Sequence, residues 1–568
     1  MEKEILSFIE KEKLRLFEET DKNIEQSKIF KTKDAKAIVQ KILNFLCENF
    51  SFENTKYLFN FFIRENSFEK IKEKQEFFKS IKKEKSEFLR KLKKPKPFWY
   101  PKYEILIVTE SEETFLRLQN LDCPVSLISS ERDLNELEKY DVIQVIDCEN
   151  FSIILERLPQ TIFIDNLEDI YLERHLSFLS GWKENLEIII KECGDEKIKK
   201  IAEELFSLVS LLEEEKEEIK IEELEEKCDE INEKILTELK GQTISGEKLV
   251  SLLTKGLPEE IKTKIEKEIK ERNLSEEIFE IGLPLKINYE GLEKYIKRKN
   301  QKKFSDFVAK LQKNAEKIKD IEKKVFELEK NLLLFDFCSG LYNYIEGKIY
   351  PVFSDFLSIK NSKNIFLENP QPITFELKDK RGSVLTGANS GGKTTLLEHL
   401  IQLIFISQLG LPVSGELIIP FFEQVYYFAK NKGSPTRGAF ENLLMQMSSI
   451  KPKGKTIILA DEIEALTEPG VAGEIISSTM KYFLEKECFC VFATHLGKEI
   501  LPILPEKARI DGIEARGLDE NFNLIVDHNP VLGRLANSTP ELIIEKLAKT
   551  SNEEYFKFIW ENLRKNKL

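Results

Sequence analysis

Gly387-Ala-Asn-Ser-Gly-Gly-Lys-Thr-Thr395 decides the fold, read with its flanks Ser383-Val-Leu-Thr386 and Leu396 to Leu409. It fits the phosphate-loop pattern G-x-x-x-x-G-K-[ST] without a gap. The glycines Gly387, Gly391 and Gly392 let the backbone curl so that consecutive N–H groups of the loop, those of Ala388, Asn389 and Ser390 included, point at a phosphate. The helix that follows adds its positive N-terminal end. Lys393 is long enough to reach β- and γ-phosphates, and the Thr394 hydroxyl suits Mg²⁺, with Thr395 beside it. A short apolar run enters the loop and an amphipathic run leaves it, so the pattern predicts strand, loop and helix in that order.

About seventy residues further on, Thr456-Ile-Ile-Leu-Ala460 reads as a buried strand ending in Asp461-Glu462. A carboxylate at a core strand end beside a phosphate loop suits Mg²⁺ or its water shell, which assigns Asp461 to the metal. Glu462 is placed to polarise an attacking water. A third strand pattern, Cys488-Phe-Cys-Val-Phe-Ala-Thr494, delivers His495, either as a γ-phosphate sensor or as a surface or capping residue. Three strand-end features in this order read as an ATP-hydrolysing site with ATP and Mg²⁺ as cofactors.

The 568 residues are enough for three to five domains, and 41% hydrophobic content is ample for buried cores. The net charge of −13 argues against indiscriminate nucleic-acid binding, so any DNA contact has to come from local patches. The high charged fraction, 33% and mostly Lys and Glu, fits either surface ion-pair networks or long solvated helices. The eight cysteines contain no CxxC or Cys/His cluster, which argues against zinc and fits a reducing cytoplasm. The opening Met-Glu-Lys-Glu is unlike a signal peptide. No apolar run approaches the roughly 20 residues that span a bilayer, so no membrane partner is expected.

The chain is expected to be a multidomain α/β protein. Residues 1–102 read as a helical region closed by Pro95-Lys-Pro-Phe-Trp-Tyr-Pro101, and residues 64–103 carry a net charge of about +8. The aromatics of that Pro-rich segment either stack on nucleic acid or tuck onto the next domain as a hinge. Residues 103–180 hold four short β-branched runs, at 103–109, 124–128, 141–146 and 161–164, and read as a small α/β connector-like domain. Residues 181–345 read as a helical core with an antiparallel arm and a glycine-broken tip at about 241–292. Within it, residues 297–324 carry about +7, either a phosphate-tracking face or a solvated one. Residues 346–537 hold the phosphate-loop ATPase domain of ABC type, and 538–568 read as capped helices that help dimerise.

Thr386-Gly-Ala-Asn-Ser-Gly-Gly-Lys-Thr-Thr395, Ile458-Leu-Ala-Asp-Glu-Ile463 and Ala493-Thr-His495 together resemble the signature stretches of the MutS family of DNA-repair ATPases. Leu411-Pro-Val413 with Ile418-Ile-Pro-Phe-Phe422, and Leu332 to Ser339 with Pro351-Val-Phe353, are similar to further family segments. Phe366-Leu-Glu-Asn-Pro370 is similar to an element whose aromatic ring packs on adenine, which implies that role for Phe366. Glu468-Pro-Gly470 leans toward the branch without a mismatch-recognition domain, and neither a mismatch-reading G-x-F-Y-E element nor a nuclease-like extension is expected. The resemblance implies a dimeric, DNA-binding ATPase that clamps duplex, mismatched or branched DNA in repair or recombination.

Two departures stand out. Glu464-Ala-Leu-Thr467 lacks the family's glycines, and the stretch around Ser434, Arg437 and Met445-Gln-Met447 preserves its S-T-F element poorly. They keep a non-catalytic, ATP-switched clamp or scaffold open as a rival, alongside a relative acting on RNA or the ribosome. A chromosome-organising ATPase of the SMC type is disfavoured, because its phosphate loop and Asp-Glu strand lie on opposite sides of a long coiled coil.

Overall fold

The computed structural model describes all residues except 19–22, 213–220, 241–256, 388–391, 430–436, 463–468, 519–523, 537–539, 552 and 566–568. The fold is mixed α/β and falls into two compact units. One is Met1–Arg90 together with Glu329–Leu568, and the other is Lys91–Leu328. The residues at either end of the chain thus pack together. Among the described residues no helix is long and apolar enough to cross a membrane, and all eight cysteines are free thiols.

The first unit is organised by a six-stranded sheet. Its strands run Gln424–Phe428, Thr456–Asp461, Phe489–Ala493, Gly382–Gly387, Ala508–Leu518 and Leu524–Leu532 in spatial order. All neighbours are parallel except the last pair, which is an antiparallel hairpin. The central strands are buried on both faces, which explains why they read as continuous apolar runs rather than alternating ones. Helix Lys393–Leu409 is apolar nearly all round, because it packs between this sheet and helix Lys33–Cys47. A second, four-stranded sheet runs Val352–Phe353, Glu416–Ile419, Leu357–Ser362 and Ile373–Leu377.

The first ninety residues contribute aromatic packing and one sheet-edge pairing. Phe62 stacks on Phe337 at 5.5 Å, and Phe59 meets the same ring edge-on at 5.2 Å. The buried Asp336 carboxylate accepts from the N–H groups of Ser51 and Phe52 and from the Thr55 hydroxyl. Phe30 pairs in parallel with Val425, so the open edge of strand Gln424–Phe428 is covered from the N-terminal segment. Lys74 is fully buried and donates to Gln408 O at 3.2 Å and Phe62 O at 2.8 Å, at the C-terminal turns of two helices. Burial brings its ammonium pKa down to about 8.

The second unit contains a four-stranded parallel sheet in the order Val125–Leu127, Ile105–Thr109, Val142–Val145, Thr161–Phe163, so all four β-branched runs are strands. Helix Lys183–Glu192 ends before Cys193-Gly194-Asp195, where Asp195 caps helix Glu196–Val209 by accepting from Lys197 N and Ile198 N. A third helix, Ile221–Lys240, packs with helix Glu259–Glu271, hairpin Phe279–Glu280/Lys286–Ile287 and the start of helix Tyr289–Lys313 around Leu224, Ile231, Ile265, Ile269 and Phe279. These elements therefore share a hydrophobic core of their own.

Candidate phosphate-loop site

The register of the parallel strands brings the predicted residues to one edge. Leu385 and Asp461 both pair with Ala493, so strand Gly382–Gly387, strand Thr456–Asp461 and strand Phe489–Ala493 end side by side. Crevices at the carboxyl ends of such strands are where parallel sheets hold ligands. Gly387 has φ +130°, and a Cβ there would lie 2.3 Å from Ile513 O, so both conformation and space demand glycine. Gly392, at φ +92°, caps the helix that Lys393 begins. Ala388, Asn389, Ser390 and Gly391 lie outside the described residues.

The side chains converge closely. The Thr394 hydroxyl donates to Asp461 Oδ2 at 2.6 Å. Lys393 is 2% exposed and donates from Nζ to Gly387 O at 2.7 Å, with Glu462 Oε1 3.8 Å away. His495 Nε2 lies 2.8 Å from that same Glu462 oxygen. The Glu462 backbone sits at φ +45°, a left-handed conformation that costs a non-glycine residue about 1 kcal/mol, and its N–H is tied to Ala493 O at 2.9 Å. That twist aims the carboxylate of Glu462 along a different line from Asp461, although the two are neighbours in the chain. Thr394 and Asp461 are hard oxygen donors held together, a set suited to Mg²⁺ that keeps water and phosphate as its other ligands.

Next to Lys393 opens a cavity of about 270 Å³, lined by Gly392, Lys393, Thr394 and Thr395 together with Leu367, Pro370, Ile373 and His528. The His528 ring stands beside Gly392, where a Cβ would lie 3.0 Å from its Nδ1. The Phe366 ring meets Phe45 edge-on at 6.4 Å, and the adjacent cavity wall is Leu367. His528 lies on strand Leu524–Leu532, and that strand is clamped to residues 371–374. Gln371 Nε2 donates to Asp527 Oδ1 at 2.8 Å, and Thr374 N donates to Asn529 Oδ1 at 2.7 Å. Sequence reading missed His528 because a lone histidine about 135 residues beyond the loop has no local signature.

Beneath the cavity, His399 is buried in a polar network. Its Nδ1 donates to Gln402 Oε1 (3.2 Å), its Nε2 accepts from the Ser362 hydroxyl (3.0 Å), and Gln402 Nε2 donates to Asn364 Oδ1 (3.0 Å). Asn364 and His399 both line the cavity, so the network ties the phosphate-loop helix to the segment that carries Asn364. Burial pushes the His399 pKa down to about 4, which leaves the ring neutral. The unfolded chain binds that proton near pH 6.5, so stability from His399 is present above 6.5 and is lost as pH falls toward 4. Between pH 7 and pH 5 the wild-type chain should lose about 2 kcal/mol more than His399→Gln. Thermal melts of both proteins across that range check this, and parallel curves would remove His399 as the titrating group.

Ser434 and Glu464-Ala-Leu-Thr467 lie outside the described residues, and Arg437 lies in helix Arg437–Ser448. No protein-family model matches the chain. It is 32% identical over 476 residues to the DNA-binding protein MutS2 of Pyrococcus furiosus, covering 75% of this chain and 83% of that one. It is 28% identical over 198 residues to the endonuclease MutS2 of Aquifex aeolicus, of which it spans 26%. It is 24% identical over 275 residues to the DNA mismatch repair protein MutS of Thermotoga maritima, of which it spans 34%.

Proposed function

The chain belongs to the MutS family, in its MutS2-like branch, and from that membership we propose that it is a Mg²⁺-dependent ATPase that binds DNA. It works as a cytoplasmic homodimer whose grip on duplex, mismatched or branched DNA changes as ATP is bound and hydrolysed. The observation that carries the ATPase reading is the convergence of Lys393, Thr394, Asp461, Glu462 and His495 at one sheet edge. The DNA part is supported by the names of the relatives.

In this reading the phosphates lie over residues 387–395, where the loop N–H groups and the Lys393 ammonium meet their charge. Thr394 and Asp461 would hold Mg²⁺, which when bound would supply positive charge against the phosphate oxygens. Glu462 orients the attacking water and takes its proton, and His495 holds the Glu462 carboxylate and senses the γ-phosphate. Leu367, Pro370, Ile373 and His528 receive the base, with Phe366 as a further contact.

The test is fluorescence anisotropy with a non-hydrolysable ATP analogue on homoduplex, single-mismatch, four-way-junction and RNA-duplex probes at two salt concentrations, paired with ATP turnover. Junction or duplex binding without mismatch preference, falling with salt, is the expected result. Turnover without DNA binding at either salt would overturn the DNA part and direct attention to RNA or a protein. Tight binding with no turnover would favour the ATP-switched scaffold.

A further inference from the structure

The Pro-rich segment before the small parallel sheet has an unusual build. Asn185 pins its start, accepting from Lys93 N at 3.0 Å and donating to Lys93 O at 2.7 Å. The Ser180 hydroxyl accepts from both Phe98 N and Trp99 N, at 3.3 and 3.2 Å. Gly181 lets the strap lie close, since a Cβ there would stand 2.8 Å from the Lys96 carbonyl carbon. Trp99 turns inward, its ring 6.4 Å from Phe307, and the buried Tyr103 packs on Phe304 at 4.8 Å. Trp99 alone therefore does the tucking expected of a hinge.

Its two neighbours do the opposite. Phe98 is 63% exposed and Tyr100 is 64% exposed, although burial would stabilise each by about 2 kcal/mol. Residues 91–102 hold five lysines and no acidic residue, in a chain whose net charge is −13. Lys91 is held by Glu192, but among the described residues Lys93, Lys94, Lys96 and Lys102 are exposed and have no ion-pair partner. In extended chain, residues two apart lie about 6.6 Å from one another, twice the roughly 3.4 Å rise between stacked bases. That spacing leaves room for one flat base between neighbouring outward rings.

We propose that residues 93–102 form a platform for single-stranded DNA, with Phe98 and Tyr100 stacking on unpaired bases and Lys93, Lys94, Lys96 and Lys102 meeting the phosphates. The proposal rests on the DNA-binding reading above and deepens it, naming an unpaired strand as part of the substrate. Aromatic faces select single strands because a duplex hides its base faces, while the lysines supply attraction to either form. The flanking anchors at Asn185, Ser180 and Gly181 hold the strap in place before the ligand arrives, which reduces the ordering cost of binding.

The experiment uses the full chain and labelled oligo-dT, oligo-rU and duplex DNA of equal length, at two salt concentrations. Phe98→Ala/Tyr100→Ala should weaken oligo-dT binding by about 10- to 100-fold and change duplex binding by less than about 2-fold. Lys93→Gln/Lys94→Gln/Lys96→Gln should lower the salt slope on oligo-dT by about 2. Unchanged ATP turnover together with wild-type thermal melts and circular dichroism in both variants establishes that they fold. If wild-type chain binds duplex or junction but not oligo-dT, or if the aromatic variant binds oligo-dT as wild type does, the platform is wrong and the DNA-binding reading stands. If wild-type chain binds no DNA at all while hydrolysing ATP, the DNA-binding reading itself has failed. Binding to oligo-rU in preference to oligo-dT would overturn the proposal in favour of RNA.

Discussion

Lys393→Ala is expected to raise the dissociation constant for ATP by about 10²- to 10⁴-fold, enough to abolish binding at ordinary nucleotide concentrations. The Lys393 side chain is nearly inaccessible, and its ammonium is directed into the loop by Gly387 O. An ammonium that meets two phosphate oxygens in such a site contributes about 3–6 kcal/mol through charge-assisted hydrogen bonds. Alanine also leaves the Glu462 carboxylate, now 3.8 Å from Nζ, without its nearby cation when phosphates arrive. Both effects act in the same direction. Lys393→Met, which keeps the stem and fills the same space, separates loss of charge from loss of packing. Isothermal titration with ATP and with ADP checks the prediction, with a thermal melt of each apo-protein to confirm folding. Unchanged ATP affinity in a folded variant would remove the phosphate-loop assignment.

The crevice was legible in sequence because its parts are local. Gly387 to Thr395 carries its own backbone requirement, and the runs ending at Asp461 and Thr494 show their burial as unbroken apolar stretches. The strand order was not legible, yet it brings Asp461 and His495 to the loop, through pairings of Ala493 with both Asp461 and Leu385. The cavity lining that comes from outside the loop was hidden for a related reason. His528 and Asn529 meet residues 371–374 across more than 150 positions, and no spacing rule reaches that far. Phe30 pairing with Val425 is a still longer link, and Ile29 and Lys31 around it read simply as a short apolar and basic stretch. Lys74 reads as one charge among many in the sequence. Only the fold shows that its ammonium closes the ends of two helices. Within the helical core, Gly194 and the capping carboxylate of Asp195 divide one helix from the next, and helical periodicity on both sides hides that boundary in the sequence.

Glu462→Gln is expected to keep ATP binding within about 3-fold of wild type and to slow turnover by about 10²- to 10⁴-fold, trapping the chain with ATP bound. The substitution is nearly isosteric. The glutamine carbonyl can still accept from His495, and the strained backbone at φ +45° is untouched, so the crevice keeps its shape. What is lost is the capacity to take a proton from water, together with the negative charge that orients it. If His495 acts by holding Glu462, then His495→Ala should slow the wild type by about 10-fold or more. It should add little in the Glu462→Gln background, because the two residues serve one step. Additive losses would instead mean that His495 meets the phosphate independently. Single-turnover hydrolysis in the four proteins of this cycle, with nucleotide occupancy measured alongside, separates the outcomes. Wild-type turnover in Glu462→Gln would move the catalytic carboxylate elsewhere. Among the described residues of the crevice the other carboxylate is Asp461, which is already hydrogen-bonded to Thr394 and better placed for the metal.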